Sequence, residues 1–203
     1  MQDLVHPSKQ QNLKIMKTTP FLKSALIAFC VFTAGQAFGQ KEKTVEVGGA
    51  PMYPSKNIVA NAVNSKDHTT LVAAVQAAGL VETLQSAGPF TVFAPTNAAF
   101  EKLPAGTVET LVKPENKETL TGILTYHVVA GKMGAKEIAE AIKKGNGKAT
   151  LTTVQGGKLT AWMEGKDLYI SDENGGKSKV TIADVFQANG VIHVVDTVVL
   201  PKG

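Results

Sequence analysis

Phe90–Phe100 (FTVFAPTNAAF) constrains the fold of this chain more than any other stretch. Phe90-Thr91-Val92-Phe93-Ala94 is a short apolar and β-branched run of strand type. Pro95 stops the ladder, because it has no N–H to donate. Thr96 and Asn97 are both good helix N-caps, and Ala98–Leu103 continues in helical residues. One short stretch therefore encodes strand, corner and capped helix, with Phe90 and Phe100 available as anchors at its ends. A second stretch answers it near the C-terminus: Asn189-Gly190-Val191-Ile192-His193-Val194-Val195-Asp196-Thr197-Val198-Val199-Leu200-Pro201 reads as a turn followed by a long, mostly apolar strand.

The order of the remaining patterns sets the class. Before Phe90 the pattern is helical: Ser55 is placed to cap a turn carrying Ile58, Val59, Ala62 and Val63, and Thr69 or Thr70 to cap a helix closed by Gly79. Thr107–Leu111 and a segment opened by Pro114 are further helices. The second of these leads into Tyr126-His127-Val128-Val129, read as a strand stopped by Gly131. Gly134–Lys144 is amphipathic, with Ile138, Ala141 and Ile142 on one face and lysines and glutamates on the other. Then the period changes from 3.6 to 2. Lys148–Val154, Lys158–Glu164, Leu168–Ser171 and Ser178–Ile182 are strand candidates, separated by Gly-bearing turns that favour antiparallel hairpins. Ala183–Asn189 reads as a connector. Helices early and strands late indicate an α+β fold.

The N-terminus accounts for most of the charge. From Met16 the layout is that of a secretory signal peptide: Lys17 and Lys23, an apolar core at Ala25–Ala34, and small residues at Ala37 and Gly39 that place cleavage near Gly39–Gln40. Residues 1–39 are thus an upstream segment and leader whose start falls at Met16. Cys30 lies within the apolar run, so the mature chain is expected to hold no cysteine and to need no disulfide. The leader carries four of the lysines and one acid, so removing it takes the net charge from +4 to +1. All 21 basic residues are lysine. A near-neutral body without arginine gives no electrostatic case for nucleic acid, and the apolar core is shorter than the roughly 20 residues of a membrane span. Residues 40–53 read as a flexible lead, with Thr44–Val47 at most a marginal strand, and 54–203 as the folded domain.

TVFAPTNAAF, then Tyr126-His127, then NGVIHVVDTVVLP resembles the fasciclin domain over about Tyr53–Pro201. The resemblance implies a wedge-shaped β-sandwich with N-terminal and intervening helices, in which the two motif strands lie side by side. Thr91, Phe93, Pro95, Thr96, Asn97, Phe100, Asn189, Gly190, His193 and Asp196 are its structural motif. It also implies extracellular adhesion or matrix association and no catalysis. The chain holds one copy, no Arg-Gly-Asp and no Asn-x-Ser/Thr acceptor, so integrin binding does not carry over.

Each candidate site residue has two readings. His127 is a core imidazole bonded to backbone, or it forms a recognition patch with Tyr126; the first is preferred. His193 is read as structural. Asp196 faces away from His193 in a regular strand and is expected to accept backbone N–H bonds at the corner near Thr96 and Asn97. Trp162 shares a face with Thr160 and Glu164, opposite Leu159, Ala161 and Met163. It is either a sugar-stacking platform beside Tyr169 or, the preferred reading, buried beneath helices. No His or Cys pair has the ligand spacing of a zinc site, no G-x-S-x-G elbow is present, and no glycine-rich turn suits a phosphate, so neither metal nor cofactor is expected. The function expected is an exported, non-enzymatic binding module for a cell-surface or matrix polymer, polysaccharide or protein, with weak self-association. It would reside in the periplasm, at the cell surface or outside the cell. The alternative is a periplasmic protein that binds a small ligand or serves in stress.

Overall fold

A computed structural model describes residues 42–202. The leader, its start at Met16, Cys30 and the cleavage point lie outside the described residues. In chain order the elements are β1 (Val45–Val47), β2 (Ala50–Met52), α1 (Ile58–Ala62), α2 (Thr69–Ala78), α3 (Val81–Gln85), β3 (Phe90–Pro95), α4 (Asn97–Glu101), α5 (Thr107–Leu111), α6 (Lys117–Tyr126), β4 (Val128–Ala130), α7 (Ala135–Lys144), β5 (Ala149–Thr152), β6 (Lys158–Glu164), β7 (Asp167–Ser171), β8 (Lys177–Gln187) and β9 (Gly190–Val195).

The two motif strands are neighbours at the centre of a seven-stranded sheet ordered β4-β3-β9-β8-β7-β6-β5. β3 and β9 pair in parallel, with Phe93 opposite His193, and the other pairings are antiparallel. The two outermost strands approach each other: Val129 bridges Thr153 just beyond β5, and Val154 N–H donates to the Val128 carbonyl at 2.7 Å. The sheet therefore folds over on itself, and β3–β9 has apolar contacts on both faces. Val92, Ala94, Ile192 and Val194 face α1, α2 and α6, while Phe93 and Val195 face a second core with α7 and the inner residues of β5–β8. This double burial explains why both motif strands read as continuous apolar runs.

Three segments depart from the sequence reading. Residues 40–53 were expected to be a flexible lead, yet 45–52 form the β1–β2 hairpin, whose Val47 and Met52 are buried in the first core. Its turn, Gly48-Gly49, has φ of +60° and +74°, and a side chain at Gly48 would meet Ser65 Oγ and the backbone of Asp67. Asn61 then clamps the chain after the hairpin, donating to the Tyr53 carbonyl at 2.8 Å and accepting its N–H at 3.0 Å. Next, Tyr126-His127 is not strand: Tyr126 ends α6, and His127 N–H closes that helix on the Leu124 carbonyl. Finally, Ala183–Asn189 is not a connector. β8 runs on to Gln187 through register shifts, with Asp184 at φ +60°.

The helix starts also differ in detail. Thr96 caps α4 as expected, its side chain accepting Ala99 N–H. Asn57 rather than Ser55 caps α1. Neither Thr69 nor Thr70 caps α2; the Thr70 N–H is taken by Asn97 Oδ1, from the start of α4, at 3.0 Å.

Candidate functional site

The described histidines and Tyr126 are interior groups. Tyr126 is 0% exposed and His127 2%. The Tyr126 hydroxyl donates to the Lys158 carbonyl at 2.7 Å and accepts Glu173 N–H at 3.3 Å, joining the end of α6 to β6 and to the turn after β7. Burial raises its pKa. His127 Nδ1 bonds the Ile123 carbonyl at 2.9 Å and Nε2 accepts Val199 N–H at 3.2 Å. These bonds require the neutral ring with its proton on Nδ1. Burial pushes the His127 pKa down to about 4. Neither residue is exposed at the surface, which fits the preferred reading of His127 as a core imidazole bonded to backbone rather than the alternative of a surface recognition patch with Tyr126.

His193 follows the same logic. Its ring stacks on Phe93 at 5.6 Å, Nε2 bonds the Met133 carbonyl at 2.8 Å, and Nδ1 accepts Asp184 N–H at 3.4 Å. Burial lowers its pKa too. Asp196 does serve backbone, but not at Thr96 and Asn97. Its Oδ1 accepts Lys179 N–H from β8 at 2.9 Å and the Thr197 hydroxyl at 3.0 Å, and Lys102 Nζ stands 3.5 Å from Oδ2. Burial alone would raise its pKa, but these donors and the Lys102 charge hold it below the usual carboxylate range.

Trp162 and Tyr169 are where the structure departs from the preferred reading of burial beneath helices. Leu159 and Ala161 fill the inner face of β6, and Trp162 stands half-buried on the outer face. Directly across the ladder lies Tyr169, and beyond it Lys179. The two rings stack with centroids 5.7 Å apart and planes 18° from parallel. Lys177 Nζ lies 5.7 Å from the Trp162 centroid, and Lys179 Nζ lies 6.0 Å from that of Tyr169. Lys179 also pairs with Asp167 at 2.6 Å, a hydrogen bond that raises its pKa. Three adjacent antiparallel strands thus present two flat rings edged by amines and hydroxyls: Thr160 and Ser171 lie in the next row, opposite Lys177.

Among the described residues no group of three or more His, Cys, Asp or Glu side chains is arranged to hold a metal ion. No described helix is long and apolar enough to cross a membrane. Sequence reasoning missed Asn61, Gln187 and Asp184, each buried or half-buried and bonded to distant backbone or side chains. Their only signal was a polar residue inside an apolar segment.

A fasciclin-domain family model matches residues 66–201. The chain is 46% identical over 161 residues to protein sll1483 of Synechocystis, covering 79% of this chain and 82% of that one. It is 38% identical over 122 residues to the cell surface glycolipoprotein MPB83 of Mycobacterium bovis, covering 60% of this chain and 48% of that one. Among solved structures, the FAS1 domain pair of the insect cell adhesion molecule fasciclin I superposes with a TM-score of 0.64 at 18% identity, over 79% of this chain and 58% of that one. That last likeness is one of fold.

Proposed function

The chain belongs to the fasciclin-domain family, and we propose that it is an exported, non-enzymatic binding module that holds a polysaccharide of the cell envelope or matrix. The observation that carries this reading is the stacked Trp162–Tyr169 pair on the outer face of β6 and β7. A sugar ring has an apolar face of C–H groups, and an aromatic ring offers a matching flat surface with a polar edge. The lysine ammonium groups over the rings contribute only about 0.5–1 kcal/mol each at exposed sites, so a sugar displaces them readily. Once displaced, Lys177 and Lys179 remain within reach of hydroxyl or carboxyl substituents, which favours acidic sugars.

Two rings on one domain bind weakly. Retention on a surface then depends on a repeating ligand, on many copies, or on weak self-association, each of which raises the effective concentration of the second contact. The relatives named for the cell surface and for cell adhesion support this reading. The test is retention of the purified protein on the producing cell's own envelope polysaccharides, beside Trp162→Ala. Loss of retention in the folded variant supports the proposal; equal retention of both forms contradicts it.

A further inference from the structure

The outer face of β6–β8 arranges its side chains in rows that cross the strands. Trp162, Tyr169 and Lys179 form one row, and Thr160, Ser171 and Lys177 form the next. Residues two apart on a strand lie about 7 Å from one another, so the two rows run side by side at that spacing. On the other side of the aromatic row stand Glu164 and Asp167, opposite each other across the β6–β7 ladder. The rings thus lie between an acidic edge and a row of hydroxyls that ends in an amine.

The two lysines beside the rings are not equivalent. Lys179 Nζ is 2.6 Å from Asp167 Oδ2, and the Asp196 carboxylate adds a second negative charge nearby. The charge of Lys179 is therefore answered within the protein. Lys177 is exposed, and it takes part in neither of the ion pairs found among the described residues, Lys102–Asp196 and Lys179–Asp167. Its ammonium stands 5.7 Å from the Trp162 centroid, where an exposed ring is a weak partner. A charge-assisted hydrogen bond is stronger, so a carboxylate at the rim of Trp162 draws this ammonium off the ring.

Resting on the polysaccharide reading of this face, we propose that Lys177 determines its specificity: it holds the carboxylate of a uronic acid whose ring stacks on Trp162, so that the face selects polyuronides over neutral glycans. The carboxylate of such a sugar is exocyclic and lies at the rim of the pyranose ring, within the swing of the Lys177 side chain. Like charge at Glu164 and Asp167 repels it from the far edge, which turns the acid toward Lys177 and the Thr160 and Ser171 hydroxyls. Lys179, paired with Asp167, flanks Tyr169 and reads no charge.

The test is calorimetric titration of the protein with a galacturonate oligomer and with its methyl ester, in which the same sugar chain carries no charge. The wild-type protein should bind the acid about tenfold more tightly, the worth of one hydrogen bond to a charged group. Lys177→Gln should bring the acid down to the affinity of the ester, and Lys177→Arg should keep the preference. Asp167→Asn, which frees the second amine, should widen it. A preference that survives Lys177→Gln would overturn the assignment, as would binding of neither oligomer. Equal affinity of the wild-type protein for acid and ester, with Trp162→Ala weakening both, would overturn it too while leaving the rings as a sugar site. Affinities that Trp162→Ala leaves unchanged would remove the polysaccharide reading of this face along with it.

Discussion

Asn189 and Ile58 stand 131 residues apart in the chain, yet Asn189 Oδ1 accepts the Ile58 N–H at 3.0 Å. The same side chain donates to the Leu84 and Ser86 carbonyls, both at 2.8 Å, and its own carbonyl accepts Phe90 N–H. One buried amide thus ties the start of α1, the end of α3 and the entry to β3 to the turn before β9. Replacing Asn189 with Ala orphans several backbone groups at once and should cost about 2–4 kcal/mol, at 1–3 kcal/mol per buried unsatisfied group with partial relaxation. Urea unfolding measures it. A change below about 0.5 kcal/mol, the range of ordinary surface substitutions, would show that the joint is redundant.

Acid should weaken the fold through its buried histidines. The His127 pKa falls from 6.5 to about 4 on folding, and His68 and His193 shift the same way, all through burial. Between these values the unfolded chain binds more protons than the folded one, so stability is complete above 6.5 and declines as pH falls toward 4. For His127 alone the loss approaches about 3 kcal/mol, at 1.36 kcal/mol per pKa unit. Urea midpoints measured from pH 7.5 to 4 should fall throughout that window. A flat profile would contradict the buried neutral rings.

Tyr126→Phe separates an interior role from a recognition role. Loss of the hydroxyl leaves the Lys158 carbonyl and Glu173 N–H without their partner. The expected cost is about 1–2 kcal/mol of stability, with polysaccharide retention unchanged. Retention lost in a fully folded variant would return Tyr126 to the binding surface.

Gly190→Ala should disrupt the central parallel pair. A Cβ at Gly190 falls against the Phe90 carbonyl and amide, where only backbone is available to move. Separation of β3 from β9 at this end should show as faster amide hydrogen exchange at Phe90–Val92 than in the wild-type protein. Unchanged protection would mean that the ladder absorbs a methyl group here.

Much of this architecture was legible, for identifiable reasons. β3 with its Thr96 cap, and β6 from Lys158 to Glu164, were plain because propensity, alternation and turn residues agree there. The β1–β2 hairpin was missed because its strands have three residues each, one holds Pro51, and only Val47 and Met52 are fully buried in the core. Tyr126-His127 misled because α6 passes into β4 without a breaker, and its β-branched and aromatic residues suit either state. β8 was cut short because the irregularity at Asp184 breaks the alternation. Trp162 was placed on the face opposite Leu159 and Ala161, where it lies, but was expected to be covered there: alternation separates the two faces, whereas whether helices cover the outer one is a tertiary fact. The same holds for the cap on Thr70 and the joint at Asn189, whose partners are distant in sequence.

Trp162 is the only tryptophan in the chain, so its fluorescence reports on the proposed binding face without a label. The most direct measurement is its emission during titration with the producing cell's acidic envelope polysaccharide, for the wild-type protein and for Tyr169→Ala. A saturable change in emission, weakened by salt and by loss of the Tyr169 ring, is the result expected if sugars stack on the pair and the lysines contact their substituents. Polysaccharide binding demonstrated by retention while Trp162 emission stays constant would contradict the account and place the contact elsewhere on the molecule.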